Sequence, residues 1–284
     1  MRFVATLFGW LITTVLLAVA VVSLWAQRTL VDEDGYAALA ADAARNPALQ
    51  RAMAAELRTQ IIDFAAGRGY RINSDLVAPV VNRYTANPGF PGQFAQANRI
   101  AHRWMFTNEI RSDSAAENRW LVDIAPMLTD PSIRQTLGDL NLDVPDQLLV
   151  PITVPETSGL QPGRLRTVAV WGPWVSAGSA VLAAVFALLT LAAARARGKT
   201  IAALGVSALL VGAAGWAGIE VARGHIDRAL DHTVGNIREI AEVMVAQAEA
   251  GLHHWLNLTL AGGGVLVLVG VAVAALGGLL RRGD

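Results

Sequence analysis

Residues 255–280 read WLNLTLAGGGVLVLVGVAVAALGGLL, a run without a single Asp, Glu, Lys or Arg. A helix rises about 1.5 Å per residue, so this run is long enough to cross a hydrocarbon layer of about 30 Å. Three runs of the same kind precede it: Val4 to Ala26, Val168 to Ala194 and Thr200 to Ile219. Lipid offers no partner to a backbone N–H or C=O, and a helix satisfies both internally. The chain therefore reads as a mainly α membrane protein. Transmembrane helices are expected at 1–26, 168–194, 200–222 and 255–280. An extracytoplasmic domain (27–167) and an extracytoplasmic amphipathic hairpin (223–254) lie between them, with a cytoplasmic turn at 195–199 and a cytoplasmic tail at 281–284.

Charge sets the expected orientation. Arg2, Arg195, Arg197, Lys199, Arg281 and Arg282 flank the spans on one side against the single acid Asp284. Basic residues in short loops mark the cytoplasmic face, so both termini are expected there, in a bacterial plasma membrane. The other face carries 17 basic and 22 acidic residues, a balance that excludes a nucleic-acid platform. A cleaved signal peptide is the alternative reading of the first run. Its length, and Leu24 ahead of Trp25 and Ala26, favour an uncleaved anchor. Trp25, Trp171, Trp174 and Trp255 fall at the outer ends of the runs, with Trp216 one turn inside, and are expected as interface anchors.

The chain has no cysteine, so neither disulfides nor thiolate metal sites are available to it. Lys199 is its one lysine among 23 basic residues, a bias seen in high-GC bacteria.

The segment between the first two runs has helical spacing. Asn46-Pro47, Asn87-Pro88 and Asp130-Pro131 each pair a capping residue with a proline suited to a first helical turn, and their 41- and 43-residue separations raise the question of a repeat. Leu49, Met53, Leu57, Ile61 and Phe64 form a stripe that ends at Gly67 and Gly69. A second helix is expected from Asp75 to Ala86 with Leu76, Val80 and Tyr84, and a third from Gly92 to Ile110 with Phe94, Ala97, Ala101, Trp104 and Met105. Trp120 to Ile124 and Leu149 to Val154 have strand composition and give a small β element, in which Pro151 belongs on an edge.

Three stretches of this chain, Phe94 to Arg103, Val122 to Leu128 and Trp171-Gly172-Pro173-Trp174, resemble a group of uncharacterised actinobacterial integral membrane proteins. The resemblance covers residues 1 to about 222 in architecture and only those stretches in motif. It implies an envelope-facing, helix-rich domain between the first two spans, and it carries no activity or catalytic residue over to any position here.

His102, with Asn98, Arg99 and Glu109 on nearby turns and Asp123 further along, is the one residue that invites a general-base role. Such a role needs a nucleophile or substrate geometry, and a helix with alternating polar residues gives the simpler reading of a hydrogen-bonded polar face. Asp123, between apolar neighbours on a strand, is expected to face outward.

In the second external segment Ile226, Leu230, Val234, Ile237, Ala241, Met244, Ala248, Leu252 and Trp255 recur at helical spacing. One straight helix here would be about 50 Å long and would hold its two flanking spans apart, so the chain must turn. Gly235 is suited to close a short helix over 225–234, and Asn236 to cap a longer one running into the last span, with Glu239 in a capping box. Ile226, Leu230, Val234, Ile237, Met244 and Leu252 form the candidate interaction face, expected to pack on the external domain or on a partner. His225 and His232, seven apart with Asp227 and Asp231 between, raise the question of zinc, but the spacing matches no ligand motif, and neither metal nor cofactor is expected. Glu220 beside His253 and His254 forms the candidate titrating cluster.

Gly212, Gly215 and Gly218, Ala177, Ala180 and Ala184, and Gly262, Gly263, Gly264 and Gly270 let the spans approach closely. No catalytic signature appears, and no charge lies in mid-span. The chain reads as a non-enzymatic cell-envelope accessory or scaffold, with the lipid bilayer and a membrane protein partner or a second copy as its partners. The alternative is a sensor or lipid-handling component that binds an envelope ligand in the external domain.

Overall fold

The structure is a computed structural model that describes residues 2–67, 69–71, 73–107, 119–123, 149–153, 163–194, 196–231 and 235–280. Four of its helices are long and apolar enough to cross a membrane. They are α1 (Arg2–Ala26, extended by a π-helical turn over Gln27–Val31), α6 (Arg166–Ala193), α7 (Arg197–Leu230) and α8 (Asn236–Leu280). Between α1 and α6 lie α2 (Glu33–Ala43), α3 (Pro47–Ala66), α4 (Ser74–Thr85), α5 (Phe90–Phe106) and the strands β1 (Arg119–Asp123) and β2 (Leu149–Thr153). The chain divides into two compact units. The first comprises 1–31, 170–228 and 248–284, and the second 32–169 with 229–247.

The first unit is a helix bundle closed by small residues and hydroxyls. Val21, Val211, Ile219 and Leu256 form its core, with Leu17, Ala18 and Leu252 packed against them. Along α7 and α8 the backbones themselves meet: a Cβ on Gly205 would lie 2.6 Å from the Val267 nitrogen and 2.7 Å from the Gly263 oxygen. Gly212 and Gly215 pack on Leu260 and Leu256, whereas Gly218 and Gly262 face open space. Trp10 Nε1 donates to the Ala203 carbonyl and Thr14 Oγ1 to Ser207 Oγ, each at 2.8 Å, which ties α1 to α7. On α6 the buried face is Ser176, Ser179, Ala183 and Thr190, while the alanine line expected to pack has Ala177 and Ala184 exposed. The correction has a plain cause. Ser176, Ser179 and Thr190 return their hydroxyls to carbonyls three or four residues back, so they enter a packed interface without an unmet hydrogen bond.

The second unit starts where Asp32 caps α2, its carboxylate accepting from the Gly35 N–H at 2.8 Å. Ala37, Ala40, Ala43 and Ala44 are buried in this segment together with Leu39, a face made mostly of alanine with few of the large apolar side chains that signal a stripe in sequence. Asn46 caps α3 as its Asn-Pro pair predicts, accepting from the Ala48 N–H. The second pair works differently. Asn87 accepts from the Gly89 N–H, and α5 begins at Phe90, two residues beyond Pro88. Asp130-Pro131 lies outside the described residues.

α2 packs on α5 and α3 on α4. The core holds Ala40, Ala43, Ala44, Leu49, Tyr84, Phe90 and Phe94, with Met53 and Leu57 against it. A second small cluster joins Ala54, Val77 and Val81. Two expected stripes are thereby corrected. On α3 the buried part stops short of Ile61 and Phe64, which are exposed, because α4 covers only part of that face. On α4 the buried residues are Val77, Val81, Tyr84 and Thr85, and Leu76 and Val80 turn outward. β1 pairs antiparallel with β2, Trp120 opposite Ile152 and Leu121 opposite Pro151.

α7 continues without a break to Leu230, so no separate helix starts near 225. Gly235, at φ +67°, precedes α8, and the left-handed backbone there is the one a glycine adopts without a steric penalty. Arg238 braces this end of α8, bonded to Asp231 at 3.0 Å and to Glu242 at 2.7 Å.

Candidate functional site

Two groups of polar side chains bear on function, one in each unit. In the first unit, α7 and α8 carry Trp216, Glu220 and Arg223 opposite Glu249, His253 and Asn257. Arg223 is the hub. Its Nη1 lies 3.0 Å from Glu220, and its Nε and Nη2 lie 2.9 and 2.7 Å from one oxygen of Glu249. His253 stacks on Trp216 with ring centroids 3.9 Å apart, and the Trp216 indole donates to Asn257 Oδ1 at 3.3 Å.

The expected Glu220, His253 and His254 cluster is thus divided. Arg223, one turn along α7, takes the carboxylate of Glu220, while His253 turns to an aromatic face and His254 is exposed. Helical spacing accounts for this: 216, 220 and 223 share one face of α7, and 249, 253 and 257 share one face of α8. His225 bonds the Val221 carbonyl through Nδ1 at 3.0 Å, and His232 lies outside the described residues. Among the described residues, no three His, Asp or Glu side chains gather as a metal site.

In the second unit His102 is buried, its ring stacked on Phe106 at 4.1 Å and tilted against Tyr36 at 5.3 Å. Burial raises the Tyr36 pKa above its ordinary value of 10.0. Asn98 donates to the Phe94 carbonyl within α5, while Arg99 pairs with Asp34 at 2.6 Å and Arg103 with Glu33 at 3.2 Å and so tie α5 to α2. Glu109 lies outside the described residues, and of Asp123 only the strand backbone is described. Tyr36 and Phe106 flank the His102 ring, Tyr36 from α2 and Phe106 from α5 itself.

The candidate interaction face separates as well. Met244 reaches the core of the second unit, but it does so with Ile240 and Val243. Ile237 is 50% exposed, Ile226 and Leu230 are half-buried, Leu252 packs in the bundle of the first unit, and Val234 lies outside the described residues. Leu230 and Ile237 belong to different helices, so their seven-residue spacing does not place them on one face. Ile240, Val243 and Met244, spaced three and one within α8, were the legible signal once the helix is started at Asn236.

The tryptophans differ among themselves too. Trp171 and Trp174 are exposed, as anchors in a lipid interface would be, and Trp255 is half-buried beneath Arg28, whose Cζ lies 5.6 Å from the ring centroid. Trp25 is the correction: at 9% exposure it is packed inside the first unit, beside Gly251, and its Nε1 has no hydrogen-bond partner among the described residues.

Comparison with models of protein families, with curated proteins and with solved structures finds no match to this chain.

Proposed function

We propose that this is a non-enzymatic accessory or scaffold protein of a bacterial cell envelope, with both termini cytoplasmic and the second unit on the outer face. The observation that carries the reading is the seating of Ile240, Val243 and Met244 against the core built by α2 to α5. Segments from both sides of the α6–α7 pair thereby build one platform on a membrane-spanning chain. An assembly that only needed to be anchored would require one span. Joining two loops into a single core fixes the platform's shape, which is what a docking scaffold needs. Tyr70 and Leu76, both at least 70% exposed, give the platform apolar surface for a membrane protein partner or a second copy. The basic residues flanking the spans support the orientation.

The absence of cysteine makes the test direct. A single cysteine at Leu76 is expected to react with a membrane-impermeant maleimide in intact cells and, with a bifunctional reagent, to give a discrete larger species. A cysteine at the buried Ala54 should do neither. Labelling at Leu76 only after permeabilisation refutes the orientation, and a chain that stays monomeric under cross-linking refutes the scaffold reading.

A further inference from the structure

We infer that Arg28, Trp25 and the Gly251–Trp255 turn of α8 form a site for a phosphate group, that of an anionic lipid headgroup at the end of α1 remote from Arg2. The inference goes beyond the scaffold reading, because its ligand is lipid and its test reads no protein partner.

Three observations meet there. Arg28 is exposed and forms no ion pair with a carboxylate among the described residues, whereas Glu220 and Glu249 of the same unit are both held by Arg223. Its guanidinium instead lies over the Trp255 ring, Cζ 5.6 Å from the centroid, and such a cation–π contact leaves guanidinium N–H groups for an anion. Trp25, nine-tenths buried, has an indole N–H with no partner among the described residues, an exception in folded proteins, where enclosed donors are nearly always bonded.

The two donors share one face of α8. Trp25 Nε1 meets α8 at Gly251, where a Cβ would lie 3.4 Å from it, and Arg28 meets α8 at Trp255, one turn further on. Residues 251 and 255 are one helical pitch, about 5.4 Å, apart along α8. Gly251 leaves the indole side of this face without a side chain. The π-helical turn over Gln27–Val31 carries Arg28, and such turns recur at functional sites. A charged donor with a fork geometry and a second neutral donor, without a competing carboxylate, are what a phosphate needs and what a zwitterionic or neutral headgroup rewards less.

The full chain, purified in a neutral detergent, is titrated with phosphatidylglycerol, with phosphatidylcholine and with inorganic phosphate, and bound species are counted by native mass spectrometry. Phosphatidylglycerol adducts are expected at concentrations where phosphatidylcholine gives none. R28Q should weaken them about tenfold, W25F should weaken them several-fold, and Arg71→Gln, an exposed arginine of the other unit, should leave them unchanged. W25F keeps the aromatic volume and removes only the N–H, and an unchanged melting curve shows that its effect is on binding. Adducts of inorganic phosphate that R28Q abolishes would uphold the site and assign it to free phosphate. Equal binding of the two lipids, or R28Q behaving as the parent chain, overturns the proposal. W25F behaving as the parent chain removes Trp25 from the site and overturns the two-donor arrangement.

Discussion

Gly262, Gly263 and Gly264 are chemically identical neighbours on α8, and the fold predicts that they respond to the same substitution in different ways. A Cβ on Gly263 would stand 2.9 Å from the Gly205 carbonyl oxygen, 3.0 Å from the Ala208 Cβ and 3.0 Å from the Leu209 nitrogen, whereas Gly262 and Gly264 have open space at the same position. Two of the three obstacles at Gly263 are backbone atoms of α7, which cannot rotate aside. Alanine there must push α7 and α8 apart by roughly 0.5–1 Å, a gap that forfeits a quarter to a half of each dispersion contact along the seam. Overpacking of this kind costs about 1–3 kcal/mol. The helix-propensity gain of alanine over glycine is common to all three positions and cancels in the comparison. G263A should therefore unfold at a lower SDS fraction than G262A and G264A, by an amount equivalent to about 1–3 kcal/mol. The measurement is a reversible SDS titration of the full chain followed by circular dichroism. Three superimposed curves would refute the α7–α8 seam as drawn.

Two further outcomes concern the second unit. Met244→Ala should destabilise it by about 2 kcal/mol, the low end of the range for a core methionine because the side chain is only partly buried, while Ile237→Ala, half exposed, should change the unfolding midpoint little. Equal losses would return the interaction face to its heptad reading. Tyr36 gives a pH dependence. Burial favours the neutral phenol and raises its pKa in the folded chain, so the folded state holds the proton more tightly than the unfolded one. That contribution is fully present below the unfolded value of about 10 and is lost as pH rises through the raised folded value. Thermal melts between pH 8 and 11 should show an alkaline loss that Tyr36→Phe diminishes, and an identical pH profile in the variant would refute it.

Much of the fold was legible for a simple reason: a run of more than 20 uncharged apolar residues has few alternatives to a membrane-spanning helix, whatever its neighbours do. The facing of those helices was far less so. Lipid and protein interior are both apolar, and a buried Ala183 and an exposed Ala184 differ only in where a neighbouring helix lies. The buried hydroxyls of α6 run against the aqueous rule that polar side chains turn outward, because a hydroxyl bonded to its own helix presents little polarity to a partner. α2 stayed hidden for the opposite reason. Its buried residues are mostly alanine, with Leu39 among them, and alanine reports helix propensity without reporting direction.

The candidate sites turn on the same distinction between spacing along a chain and spacing on one helix. Leu230, Ile237 and Met244 are evenly spaced in sequence, yet Gly235 places a reversal between the first two, so only the residues after it share a register. Ile240, Val243 and Met244 follow that register into the core. Glu220 illustrates the electrostatic version. Its likeness in depth to His253 pointed to a titrating pair, but an arginine three residues along the same helix is a nearer and permanently charged partner, and it also takes Glu249 from α8. The pairing of Glu220 is therefore settled by position on one helix face, which a count of charges near the span ends does not show.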